Sequence, residues 1–181
     1  MSYPYLLTTL PPLIFQKEVP LSQDEFLELC HNLVPPKAYA DLLQLFSQKA
    51  NGNQMVEDYF LYEHSLDNEV TQIRARHLGR TVPVALTPLP YAPVGEAQEV
   101  MNAHNPRESE QARLYSLWAK LDSLKTTEFL NYEALAIYAL QLRLLHRKDL
   151  FQRQKGEMAL QMLAKNLLPE RYLHRKSMSQ P

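Results

Sequence analysis

The sequence is poor in the residues that cross-link, bend or anchor a chain. Among its 181 residues it has a single cysteine, Cys30, which excludes an internal disulfide, and only four glycines. It has neither a signal-peptide pattern at its start nor an uninterrupted run of about 20 apolar residues. These absences argue against a secreted disulfide scaffold and against a membrane span. We expect a protein of the cytosol.

Motifs that hold metals, phosphates or activated nucleophiles are also missing. The six histidines are scattered singly and no cysteine is paired with another, so the spacing of a metal site is not present. There is no glycine-rich phosphate loop and no nucleophile elbow. Cys30 and His31 are adjacent and therefore point to different faces of a helix. We expect no catalytic activity, no cofactor and no metal.

Helix-forming residues dominate what is present. Leu, Ala, Gln and Glu are abundant, whereas the 13 prolines fall largely between periodic segments. The sequence therefore predicts a mainly α-helical bundle of about six helices. It should form one domain over residues 1–172, followed by a disordered tail over residues 173–181.

Two proline-rich segments interrupt the helical pattern. Residues 1–20 contain four prolines among many apolar side chains, which predicts an extended arm docked on the helical body. The arm could dock in cis or on another subunit, and we expect docking in cis. Residues 80–104 also lose periodicity and contain four prolines, which predicts an irregular loop with a short helix over residues 96–101.

Capping residues predict where the helices begin and end. Ser22 and Glu25 have the spacing of a capping box, and Pro36 opens a second helix that should reach about residue 50. The turn at residues 51–53 ends it, and Gly79 should cap a third helix over residues 54–78. Charged residues of the third helix are expected to pair with one another in solvent; they are Glu63, Asp67, Glu69, Arg74 and Arg76.

One strongly apolar helix organises the rest of the chain. Residues 129–145, FLNYEALAIYALQLRLL, leave almost no polar face, so this helix should be surrounded by protein. The preceding helix has a capping box at Asn105 and Glu108 and one apolar stripe. We predict that helices over residues 105–122 and 129–147 pack as an antiparallel hairpin.

Charge is distributed unevenly along the chain. Residues 1–100 contain 6 Lys or Arg against 12 Asp or Glu, whereas residues 101–181 contain 13 against 8. A net charge of −6 in one part and +5 in the other can steer a charged partner. Such values are also ordinary for solvated helices.

The densest basic cluster lies at the end of the apolar helix and is called here the basic turn. It consists of Arg143, Arg147, Lys148 and Arg153. Arg143 and Arg147 are four residues apart and share a helix face, so both could meet carboxylates of one acidic partner surface. The sequence predicts partner binding here, and predicts that reversing both charges leaves the melting temperature nearly unchanged. A solvated face is the alternative.

Five segments together carry a family resemblance. They are YPYLLTTLPPLIF, PLSQDEFLELC, FLYEHSLDNEVTQIRARHLGR, NPRESEQARLYSLWAKLDSL and FLNYEALAIYALQLRLLHR. They resemble a bacterial family encoded beside V/A-type ATPase subunits, itself similar to the all-helical C (or d) subunit that seats the central stalk on the rotor ring. The chain is shorter than a C subunit and would supply at most part of that socket.

The resemblance implies a non-catalytic accessory or stalk subunit, or an assembly factor, of a rotary ATPase. Its partners would be other subunits of that complex, through which it would sit at the membrane periphery. Two alternatives stay open on the residues themselves. One is an unrelated helical adaptor, and the other is a nucleic-acid binder acting through the basic turn, which lacks interleaved aromatic residues.

Overall fold

A computed structural model describes residues 3–49, 51–80, 89–125, 131–151 and 162. These residues form seven α-helices: α1 (Tyr3–Thr9), α2 (Gln23–Leu33), α3 (Pro36–Phe46), α4 (Gln54–His77), α5 (Val94–Asn102), α6 (Pro106–Ser123) and α7 (Tyr132–Leu150). No strand occurs within those ranges. The predicted mainly α-helical class is confirmed.

Helix ends follow the predicted capping residues closely. Ser22 Oγ accepts from the Glu25 backbone N–H while the Glu25 carboxylate accepts from the Ser22 N–H at 2.6 Å, which completes the capping box of α2. Gly79, with φ +62°, follows the end of α4 as expected for a glycine that caps a helix. The α6 cap differs in one detail: the Glu108 carboxylate accepts from the N–H of His104, not from that of Asn105.

The helix that begins at Pro36, α3 in the structure, ends earlier than predicted. α3 stops at Phe46, and Gln48 adopts a left-handed φ of +57°. The N–H of Lys49 then donates to the carbonyl of Gln44 at 2.9 Å, which satisfies a carbonyl that the end of the helix would otherwise expose. The expected continuation to about residue 50 is therefore wrong beyond residue 46.

The N-terminal arm is helical over its first part, which corrects the expectation of an extended segment. Residues Tyr3–Thr9 form α1, because Pro4 lies in the first turn, where no backbone N–H is needed for the helix. Residues 10–20 are non-helical, as Pro11 and Pro12 require. Docking in cis is observed: Tyr138 of α7 donates to the carbonyl of Pro11, and Phe15 is buried against Trp118.

The second proline-rich segment contains the expected helix, and that helix is longer than predicted. α5 covers Val94–Asn102, whereas the sequence indicated residues 96–101. Pro93 precedes it, in agreement with the preference of proline for the start of a helix. The part of the predicted loop over residues 81–88 lies outside the described residues.

α7 is the central helix of the bundle. Its buried residues point in every direction around the helix axis; they are Leu135, Ala136, Ile137, Ala139, Leu140, Gln141, Leu142, Leu144 and Leu145. The prediction of a helix enclosed by protein is confirmed. Just before α7, Asn131 Oδ1 accepts a hydrogen bond from the Ala134 N–H at 3.0 Å, as an N-cap residue does.

α6 and α7 run antiparallel, as predicted. Near the end of α6, Asp122 accepts a hydrogen bond from Gln141 at 2.8 Å. Near its beginning, Glu110 pairs with Arg147, which comes later in α7, at 2.5 Å. The order of contacts is thus reversed between the two helices.

Contacts divide the chain into two compact units, Met1–Lys148 and Asp149–Pro181. The predicted single domain to residue 172 stays a prediction, because residues 152–172 are outside the described part of the chain except for Met162. The predicted tail over residues 173–181 also lies outside it. In the part that is described, no helix is long and apolar enough to cross a membrane.

Truncation of Leu140 tests the central position of α7. Leu140 is fully buried, so Leu140→Ala should lower the free energy of unfolding by about 2–5 kcal/mol through lost burial and the cavity left behind. Leu61→Ala, at an exposed leucine within α4, should change it by less than about 0.5 kcal/mol. Urea unfolding followed by circular dichroism measures both. Equal effects would contradict the assignment of α7 as the core helix.

Candidate partner-binding site

The basic turn is largely engaged within the chain, beginning with Arg143. Its side chain is only 13% exposed, and its guanidinium meets the Glu63 carboxylate at 3.2 Å. It also donates to the carbonyl of Leu45 at 3.2 Å and lies over the ring of Phe60. Arg143 therefore links α7 to α3 and α4 and is not presented at the surface. Arg143 and Arg147 lie four residues apart on α7, as the prediction used, but the guanidinium of Arg143 is directed to partners within the chain.

Arg147 and Lys148 also make contacts with their own chain. The Arg147 side chain is 45% exposed and pairs with Glu110 of α6. Lys148 Nζ donates to the carbonyl oxygens of Phe15 and Lys17, so it holds the non-helical part of the arm against the bundle. Burial lowers the pKa of Lys148.

Arg153, the fourth predicted residue, lies outside the described residues. The three described residues of the basic turn thus make contacts that hold helices and the arm of their own chain together. A partner-binding role for the basic turn stays a prediction. The nucleic-acid alternative would rely on the same side chains, and the three described ones, Arg143, Arg147 and Lys148, already contact carboxylates or carbonyls of the chain.

An ion-pair cluster, in which Glu63 is largely buried and Asp67 is half exposed, joins α4, α6 and α7. Arg113 of α6 contacts both Asp67 oxygens, at 2.7 and 2.8 Å, and reaches Glu63 at 3.3 Å. Glu63 therefore lies between Arg113 and Arg143. Burial alone would lower the pKa of Arg113, but hydrogen bonding and charge attraction from Asp67 and Glu63 raise it. Arg113 therefore stays charged, and the cluster links three helices to one another.

This cluster was missed from the sequence. Glu63 and Asp67 were expected to form solvated pairs with Arg74 and Arg76 on the same helix, whereas they pair across helices. The signal that could have indicated this is their spacing of four, which places both carboxylates on one face of α4. The identity of the partner arginines could not be read from spacing.

A second polar cluster lies nearer the start of α4. Lys120 Nζ contacts an Asp58 oxygen at 2.9 Å and lies 4.4 Å from the centre of the Tyr91 ring, and the Tyr91 hydroxyl donates to the same carboxylate. Burial opposes ionisation of Asp58, but the hydrogen bonds from Lys120 and Tyr91 prevail and lower its pKa. The residues that precede α5 are thereby tied to α4 and α6.

Cys30 is buried in the core. Burial raises the pKa of Cys30 to about 12, so its thiol is protonated at neutral pH. Across the described ranges, no group of three or more His, Cys, Asp or Glu side chains is placed to hold a metal ion. The polar clusters above are paired internally, which is typical of a structural role.

The surface between α1 and α2 has a different character. An open groove of about 770 Å³, called here the α1–α2 groove, runs between the two helices and is lined in part by Tyr5, Glu25, Glu28, Leu29, Asn32 and Leu33. Tyr5 is 61% exposed and Leu29 is 44% exposed. Single exposed apolar residues are common, but here two of them line one concave surface. This makes the groove a candidate docking site.

Two smaller clefts lie beside Leu13 of the arm. One, of about 390 Å³, includes Leu10, Ile137 and Gln141, and the other, of about 290 Å³, includes Tyr115 and Trp118. The amide of Gln141 and the carboxylate of Asp122, which face these clefts, are bonded to each other. Lys125 lines both clefts and pairs with the same Asp122 carboxylate, so the charged groups here are also paired with each other.

Reversing the charge of Arg143 tests its structural role. Arg143→Glu would place two carboxylates together in a largely buried site, so it should lower the free energy of unfolding by about 3–5 kcal/mol. Arg147→Glu, at a half-exposed pair, should lower it by about 1 kcal/mol or less. Urea unfolding of each variant is the measurement. An unchanged free energy of unfolding for Arg143→Glu would contradict the structural role of Arg143.

The Asp58 cluster predicts a specific pH dependence. Because the pKa of Asp58 is lowered in the folded state, its contribution to stability is present above the unfolded value of about 3.9 and is lost as pH falls through the folded pKa. Asp58→Asn should therefore destabilise the protein at neutral pH, and the difference from wild type should shrink below about pH 4. Asp24→Asn, at an exposed residue of α2, serves as the control. A pH-independent difference would contradict this account.

Comparison with known proteins adds no assignment to this site. No family model, no curated protein and no solved structure matches the chain. The V/A-type ATPase resemblance therefore depends on the five sequence segments alone.

Proposed function

We propose that this chain is a non-catalytic subunit or assembly factor that acts by binding another protein, and that V/A-type ATPase subunits are the partners to test first. The observation that supports protein binding is the α1–α2 groove, where Tyr5 and Leu29 remain exposed on one concave surface. The ATPase assignment is supported by the sequence resemblance. An unrelated helical adaptor would use the same groove with a different partner.

The distribution of polar residues favours a binding role over a chemical one. The ion pairs of Glu63 and Asp58 join helices to one another, and Cys30 is a buried thiol. The groove, in contrast, combines apolar contact area with carboxylates at its edge. Protein interfaces commonly have this arrangement of an apolar centre and a polar rim.

Both helices that form the groove are packed on the core of the protein. Phe26 attaches α2 to the core, because its ring stacks on Tyr138 of α7 and contacts Phe46 of α3. α1 is anchored by Leu6, which is fully buried. Both walls are therefore attached to the core before a partner arrives, so little ordering is needed on binding.

Affinity capture tests the proposal. The tagged full-length protein should recover V/A-type ATPase subunits from membrane extracts of its host. Leu29→Ser should reduce recovery about tenfold, because residues at the centre of an interface contribute most of the binding energy. Leu43→Ser, at a 40% exposed leucine of α3 outside the groove, should leave recovery unchanged.

The two parts of the proposal fail separately. If wild-type protein recovers no ATPase subunit, the ATPase assignment is wrong. If it recovers a partner equally well with Leu29→Ser and Leu43→Ser, the groove is not the binding site. Circular dichroism of both variants checks that each retains its helices.

A further inference from the structure

The face that α2 turns toward the groove is a continuous stripe. Glu25, Glu28, Leu29, Asn32 and Leu33 follow the spacing i, i+3, i+4, i+7 and i+8, which places them along one side of a helix. The stripe extends over two turns, about 12 Å. The fully buried residues of α2, Phe26 and Cys30, lie on its other side, and Leu33 at the end of the stripe also packs in part against the core. A partner would therefore meet an elongated surface of two carboxylates, two leucines and an amide.

The charges that line the groove are all of one sign. Glu25 and Glu28 are its only charged lining residues in the described part of the chain, and α1, the opposite wall, has no charged residue. The backbone hydrogen bond from Ser22 lowers the pKa of Glu25, so this carboxylate is ionised throughout the neutral range. Glu28 is exposed and accepts no hydrogen bond from another described residue.

The shape of the groove limits the kind of occupant. An extended peptide that adds a strand needs a sheet edge, and no strand occurs in the described ranges. A small molecule is usually enclosed on most sides, whereas this groove is open along its length. A bound helix needs an elongated apolar surface on its host, and the stripe on α2, which extends over two turns, provides one.

We propose that the α1–α2 groove binds a cationic amphipathic helix of a partner protein. Apolar side chains of that helix would pack on Leu29, Leu33 and Tyr5, while its Lys or Arg residues would pair with Glu25 and Glu28. The net charge of −6 over residues 1–100 favours encounter with such a segment. This inference rests on the proposed protein-binding function and specifies the chemistry of the partner.

Designed peptides test the inference without a known partner. Three fluorescently labelled peptides of about 15 residues are compared by anisotropy with the full-length protein. The first is an amphipathic helix with Leu on one face and Lys beside it. The second replaces each Lys with Glu, and the third scrambles the first so that its composition is kept and its apolar face is lost. Only the first should bind, and salt should weaken its binding.

Variants of the groove separate the charged and apolar contributions. Glu28→Lys should weaken binding of the first peptide about fivefold and reduce its salt dependence, because it removes an attraction and adds a repulsion. Leu29→Ser should weaken binding about tenfold and leave the salt dependence unchanged. The controls are Glu99→Lys, at an exposed glutamate of α5, and Leu43→Ser, and both should bind as wild type does.

Several results would overturn the inference. They are equal binding of the Glu peptide, equal binding of the scrambled peptide, and no response to either groove variant. A dimer in size-exclusion chromatography that Leu29→Ser dissociates would assign the groove to a second copy of the chain. If no peptide binds but partner capture still depends on Leu29, the cationic occupant is wrong and the protein-binding function stands. If peptide binding depends on Leu29 but partner capture does not, the proposed function at this site is wrong instead.

Discussion

The enclosure of α7 is the constraint on which the rest of the structure depends. A helix that is apolar on every side must be covered on every side, and α2, α3, α4, α6 and the arm all provide contacts to it. The one arginine within its buried length, Arg143, would be very unfavourable there without partners. Glu63 and the carbonyl of Leu45 supply them, so the position of α7 also fixes the positions of α3 and α4.

The charges around this helix are therefore part of the architecture. Glu63 is shared by Arg113 and Arg143, and Lys148 holds the arm through two carbonyl oxygens. A buried pair contributes less to net stability than its Coulomb energy suggests, because desolvation opposes it, but removing one member leaves an uncompensated charge. This explains how a cluster that is typical of partner binding in the sequence can instead determine helix arrangement.

The proposed binding site lies between α1 and α2, away from the charges that join α4, α6 and α7. Helices α1 and α2 contribute Leu6, Phe26 and Cys30 to the core, yet their facing sides leave Tyr5 and Leu29 exposed. Glu25 and Glu28 of α2 line the groove; in the proposed binding mode they select a partner by charge, while the apolar residues supply contact area. The proposed occupant, a cationic amphipathic helix, agrees in charge with a groove whose charged lining residues in the described part of the chain are both glutamates.

The sequence by itself determined the elements that depend on neighbours along the chain. Capping by Ser22, Asn105 and Gly79 and the apolar run of α7 were predictable, because hydrogen bonds within one turn and the 3.6-residue period are local properties. Only the tertiary structure decided which contacts Arg143 makes and that α1 and α2 form a groove. An almost uniformly apolar helix gives no indication of which side faces which neighbour, and a groove exists only once two helices have been placed together. The number of prolines in the arm predicted an extended segment, but the effect of a proline depends on its position. Pro4 lies in the first turn of α1, where a proline is compatible with a helix.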